Sequence, residues 1–194
     1  RFLLASGLLG AWLLATNPRT LRLSFNQILK CIALGVAGYA VFSSCFFLAL
    51  KGLSASLTVL LLYTYPVIVS VGAWALFGEK LKGAHLLALP IVTLGLGFLV
   101  WGDLEVYSFA ALGIGLASAV FYSAYILTSS RWLKGVDAFA SVFYIMLAAG
   151  ITLGLIHLRP STFPLAGETW AVMGATALVC SVLAMGLFLA ALQK

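Results

Sequence analysis

Residues 52–78 read GLSASLTVLLLYTYPVIVSVGAWALFG, with no acidic or basic residue between Lys51 and Glu79. A helix needs about 20 apolar residues to cross the hydrocarbon of a bilayer, and this run is longer. Pro66 stands near its middle. Its ring removes a backbone donor and clashes with the carbonyl four residues back, so a mid-run kink is expected. A soluble fold that buried such a run would have to cover it with charged elements. The chain is 63% hydrophobic and 8% charged, with mean hydropathy +1.15. Soluble domains carry about 25% charged residues, so the surface of this protein faces lipid.

The pattern repeats outward from this run. Charges are also absent from 2–18, 31–50, 83–102, 106–130, 138–158 and 169–193. The first of these windows is slightly short, and the others reach spanning length. In hydrocarbon the backbone must satisfy its own hydrogen bonds, so each window is read as a helix. The fold class is an all-α integral membrane protein, a polytopic helical bundle of seven crossings. Asn17-Pro18-Arg19, Lys51-Gly52-Leu53-Ser54, Gly78 to Gly83, Gly102 to Glu105, Trp132 to Asp137 and Arg159 to Glu168 form short turns between windows. The spacings Ala33/Ala37, Gly113/Ala117 and Gly115/Ala119 suit close helix packing in lipid and a compact bundle; the partners expected are the lipid bilayer, a small-molecule substrate and a second copy of the chain in a homodimer.

The net charge of +6 does not point to nucleic acid, because the basic residues are spread between the windows rather than gathered on one face. If the chain crosses at each window, one side receives Arg19, Arg22, Lys30, Lys80, Lys82, Arg131, Lys134 and Lys194. The other receives Arg1, Lys51 and Arg159, with Asp103 and Glu105. The positive-inside rule makes the first side cytoplasmic. The first window then runs inward, and a cytoplasmic N-terminus would require an odd number of helices, most simply one, before Arg1.

Chemistry-bearing residues are few. Cys31, Cys45 and Cys180 lie in or beside apolar windows at spacings unsuited to a metal, and are read as packing residues. No charge lies deep in a window, so no ion-coupling residue is evident. His85, His157, Glu79, Asp103 and Glu168 are scattered over both sides, which speaks against an intramembrane enzyme. No cofactor and no metal is expected. Hydroxyls in hydrocarbon seek partners, so tyrosine and serine faces are expected to point inward. Such faces are Tyr39, Ser43, Phe46 and Phe47 on the second window, Tyr63 and Pro66 on the third, and Ser118, Tyr122 and Tyr125 on the fifth. Trp101, Tyr107, Trp132 and Trp170 sit near window ends, where aromatic side chains anchor to the interface. A short internal match, Phe46 to Lys51 with Phe188 to Gln193, falls on helices of opposite direction, the arrangement of inverted repeats in transporters.

The pattern Ser54-Ala55-Ser56, Tyr63-Thr64-Tyr65-Pro66 and Gly78-Glu79-Lys80-Leu81, with Arg1-Phe2-Leu3-Leu4-Ala5 and Phe47-Leu48-Ala49-Leu50-Lys51, resembles the EamA domain of the drug/metabolite transporter superfamily. The resemblance implies ten helices in two inverted five-helix repeats, with both termini cytoplasmic. This chain then covers about helices two to eight. Residues 1–102 are expected to form a first repeat lacking its first helix, and 103–194 a second repeat cut after its third. The resemblance further implies a central substrate cavity, which Tyr39, Ser43, Phe47, Tyr63, Pro66, Ser118, Tyr122 and Tyr125 are candidates to line.

The function expected is secondary transport of a small metabolite, an amino acid or related compound, by efflux or exchange across the plasma membrane. One alternative is a sugar-phosphate or nucleotide-sugar carrier. It needs a basic residue facing the cavity, and none lies deep in the seven windows. A membrane scaffold that transports nothing is the other.

Overall fold

The computed structural model describes residues 2–78, 106 and 108–157, together with 90, 91, 94, 95, 98, 172, 174–177, 179, 183, 184, 187, 188 and 191. Five helices carry the continuous stretches: α1 (Phe2–Thr16), α2 (Phe25–Ala49), α3 (Ala55–Phe77), α4 (Phe109–Trp132) and α5 (Ala138–His157). There is no strand among the described residues. The helices α2, α3, α4 and α5 are long and apolar enough to cross a membrane, and α1 is a shorter apolar helix. Most of the windows 83–102 and 169–193, the loop 159–168 and the side chains of Glu79, His85, His157 and Cys180 lie outside the described residues.

Local chemistry sets most of the boundaries. Pro18 opens a short 3₁₀ turn, Pro18–Leu21, after α1. Ser24 starts α2 with a reciprocal cap. Gln27 N–H donates to Ser24 Oγ at 3.4 Å, and Ser24 N–H donates to Gln27 Oε1 at 2.8 Å. The helix therefore begins before Lys30, six residues ahead of the charge-free window. Ser54 caps α3, its Oγ accepting from Leu57 N–H at 3.3 Å. Gly78 closes α3 with φ +65°, a left-handed position suited to glycine. Asp137 starts α5, its Oδ1 accepting from Ala140 N–H at 2.9 Å.

Two helices are irregular. Within α2, Leu34–Ala40 is a π-helix. Within α3, the helical segments Ala55–Leu62 and Tyr65–Phe77 are separated by a turn at Tyr63-Thr64. Pro66 has no N–H for the Leu62 carbonyl, and it disfavours helical geometry in the residue before it. The expected kink is present, placed just ahead of the proline.

The chain divides into two compact units, each described by itself. The first comprises Arg1–Ala40 and Thr128–Lys194. In it α1 runs antiparallel to α5: Trp12 meets Phe139 edge-on with centroids 5.8 Å apart, and Leu3 packs over Gly150. The first half of α2 runs parallel to α5. Cys31 lies against Ser141, and a Cβ at Gly35 would stand 2.6 Å from the Ile145 carbonyl oxygen. Leu9, Cys31, Val142, Ile145 and Met146 form the buried centre.

The second unit is Val41–Leu127. One end of it is closed by Ala49, Leu53, Leu57 and Ala111, with Leu60, Leu61, Leu112 and Ile114 around them. Leu53 and Val106 form an antiparallel bridge there, and Ser108 N–H donates to the Gly52 carbonyl at 3.0 Å. Gly115 approaches Leu61 and Ala49 closely, whereas Gly113 meets nothing within 4 Å. Of the two small-residue pairs expected on α4, the one through Gly115 and the fully buried Ala119 is the one against a neighbouring helix.

Candidate functional site

In the second unit the aromatic residues of three helices converge. Tyr122 of α4 is the hub. Its ring lies 4.7 Å from Phe42 of α2, 4.9 Å and edge-on from Tyr65 of α3, and 6.1 Å from Tyr125, stacked. Tyr65 in turn lies 6.1 Å from Tyr63. Rings prefer tilted and edge-on pairs because their faces are negative and their edges positive.

The depth of this layer follows from helical rise. Counted from the closed end at Ala49, Leu57 and Ala111, the residues Phe42, Tyr65 and Tyr122 lie roughly 10 to 17 Å along their helices at ~1.5 Å per residue. Half of a hydrocarbon core about 30 Å thick is the same distance. The layer therefore sits near the middle of α3 and α4.

The break in α3 delivers Tyr65 to this layer. Thr64 N–H and Thr64 Oγ1 both donate to the Leu61 carbonyl, at 3.2 and 2.7 Å. Val67 N–H then takes the Thr64 carbonyl at 3.1 Å. This tight turn separates the two helical segments of α3. Ser123 shares its hydroxyl proton between the Tyr65 carbonyl at 3.3 Å and the Ala119 carbonyl at 2.7 Å. The interrupted backbone is thus tied to α4 by a side-chain hydroxyl, as irregular backbone at membrane depth requires.

The residues singled out from sequence fall in different places. Tyr122 and Tyr125 are in the layer, Tyr125 buried. Tyr63 is at its edge and partly exposed. Pro66 is in the first turn after the break. Ser43 is buried. Ser118 is buried and donates to the Gly115 carbonyl of its own helix at 2.6 Å. Phe47 is exposed and packs edge-on with Phe46. Tyr39 belongs to the first unit, where its ring meets Phe2 edge-on at 5.3 Å. A face drawn at regular helical spacing from Tyr39 to Ser43 and Phe47 assumes an unbroken α-helix. The π-helix Leu34–Ala40 has wider turns and shifts that phase.

Two members of the layer, Phe42 and Tyr65, were not among the sequence candidates. The signal for Tyr65 was its place directly before Pro66, where a helix turns. Phe42 carries no local signal, since any phenylalanine in an apolar helix reads as packing.

Four helices long and apolar enough to cross a membrane, one of them broken near its middle, define a polytopic membrane protein. The sequence matches the model of the EamA-like transporter family over residues 1–101, and the chain belongs to that family. A crystal structure described only as that of a protein is similar in fold to the whole chain, with TM-score 0.79 and 23% identity over 67% of its own length. No curated protein matches the sequence.

Proposed function

We propose that the protein is a secondary carrier that moves a small metabolite, an amino acid or related compound, by efflux or exchange across the plasma membrane. In this reading two inverted repeats rock about a central site, the first over residues 1–102 and the second from 103 onward. The substrate meets the aromatic layer of Phe42, Tyr65, Tyr122 and Tyr125, with Tyr63 at its edge. Aromatic faces supply contact for apolar or cationic groups, and phenol hydroxyls supply hydrogen bonds. The observation that carries the reading is the convergence of Tyr65 and Tyr122 near the middle of α3 and α4, beside the break before Pro66. A half-helix that starts at mid-depth turns backbone groups toward whatever occupies the centre, and transporters use such breaks to bind substrates.

The test is flux of radiolabelled amino acids and related metabolites into proteoliposomes holding the intact protein. Saturable uptake that falls in Tyr122→Ala supports the carrier. Folded protein with neither flux nor binding across the panel leaves the scaffold as the better reading.

A further inference from the structure

One end of the first unit gathers positive charge from three chain segments. The antiparallel contact of α1 with α5, through Trp12 and Phe139, and the parallel contact of α2 with α5, through Cys31 and Ser141, bring three termini to one place: the C-terminus of α1 and the N-termini of α2 and α5. Arg19 and Arg22 lie in the link between α1 and α2. Lys30 is on the early turns of α2. Arg131 ends α4, and Lys134 lies in the turn that leads into α5. Arg19, Arg22, Arg131 and Lys134 are exposed. Asp137 is the acidic residue described at this end, and its carboxylate is engaged by Ala140 N–H.

The collar is held in shape. Tyr144 Oη donates to the Leu21 carbonyl at 3.0 Å, which fixes the arginine-bearing link against α5. Leu133 and Val136 are buried, which fixes the lysine-bearing turn. Trp12 and Trp132 flank the charges and remain about half exposed, at 53% and 43%. Tryptophan at a helix end takes the headgroup level of a bilayer.

We infer that this end of the first unit is a binding surface for acidic phospholipid, with the lipid phosphate held among Arg19, Arg22, Lys30, Arg131 and Lys134 and its glycerol region against Trp12 and Trp132. Guanidinium groups pair with phosphate oxygens in a fork geometry. Basic clusters at membrane level attract anionic headgroups, with the attraction confined to about a Debye length. A zwitterionic headgroup carries its own cation and gains little. The occupant is a lipid rather than a free anion because the charges are ringed by interfacial aromatics and exposed apolar residues, Phe25 and Leu29 among them.

The experiment is native mass spectrometry of the intact protein released from nanodiscs of mixed phosphatidylglycerol and phosphatidylcholine. The wild type is expected to retain phosphatidylglycerol about tenfold over its share in the disc. The variant Arg19→Gln/Arg22→Gln/Arg131→Gln/Lys134→Gln is expected to lose that enrichment, and Lys51→Gln to keep it. Melting of each variant in pure phosphatidylcholine discs separates lost binding from lost folding. Should the quadruple variant not fold, the wild-type enrichment and Lys134→Gln alone still decide. No enrichment in the wild type, an equal loss in Lys51→Gln, or displacement of the lipid by inorganic phosphate at matched concentration overturns the inference. The readout involves no transport, so it stands or falls apart from the carrier reading.

Discussion

Gly35 and Gly115 both sit where helices pack closely, yet a methyl group meets different things at each. At Gly35 it would stand 2.6 Å from the Ile145 carbonyl oxygen and 2.8 Å from Ala148 Cβ. These atoms are fixed by α5, and the π-helix around Gly35 would have to move. Gly35→Ala is expected to destabilise the protein by about 1–3 kcal/mol, as overpacking does. At Gly115 the nearest atom is Leu61 Cδ1, at 2.7 Å, the end of a side chain that can swing away. Alanine also gains about 1 kcal/mol over glycine in a helix, so Gly115→Ala is expected to be neutral or stabilising. Thermal unfolding of the intact protein in detergent compares the two, and similar losses at both positions contradict the packing described. Tyr122 is the third position that matters at this scale. Its ring holds contacts with Phe42, Tyr65 and Tyr125, each worth about 0.5–1.5 kcal/mol beyond burial. On the carrier reading, Tyr122→Ala lowers flux at least tenfold, and Tyr122→Phe keeps most of it because the ring stacking survives.

Among the elements, the break in α3 carries the most consequence. Pro66→Ala restores an N–H that the Leu62 carbonyl can accept, and a continuous helix becomes available through Tyr63-Thr64. Amide exchange at residues 63–67 is expected to slow while transport falls, because Tyr65 rotates away from Tyr122. Faster exchange in that stretch contradicts this account. The start of α2 makes a simpler case. Ser24→Ala removes the hydroxyl that accepts from Gln27 N–H, leaves the residue 24 N–H to Gln27 Oε1 bond in place, and is expected to cost about 1 kcal/mol in unfolding free energy. These two helices also show what could be read from the chain alone. The apolar character of both was plain, as was the bend near Pro66. The charge-free window starts α2 too late, because Lys30 falls inside the helix; Ser24 and Gln27, three apart, are the better signal. The π-helix of α2 left no mark in the sequence, since it rests on how Gly35 meets α5. That shift, together with the turn before Pro66, is why regular spacing draws no line to Phe42 and Tyr65. Periodicity assigns a face only as far as the helix stays regular.

At the scale of the whole molecule the question is which ends share a side of the membrane. The chain leaves the closed end of the second unit along α3 and is back beside Leu53 at Val106. From there α4 crosses once, from Phe109 to Trp132. Lys51 and Val106 must then share one side, and Lys134 must lie on the other. On the expectation drawn from the loop charges, the Lys134 side faces the cytoplasm. In a background with Cys31, Cys45 and Cys180 replaced, an impermeant maleimide applied to whole cells is expected to label Lys51→Cys and spare Lys134→Cys, with the pattern reversed in inside-out vesicles. The bridge itself gives an independent check. Facing residues of an antiparallel pair have Cα atoms about 4.5–5.5 Å apart, within the range that a disulfide spans. Leu53→Cys with Val106→Cys is therefore expected to cross-link under mild oxidant, and Leu53→Cys with Lys134→Cys is not. If the first pair stays reduced while both positions react singly with maleimide, the two loops do not meet in the membrane. Labelling of Lys51→Cys and Lys134→Cys from the same side breaks the single crossing of α4 on which the orientation rests.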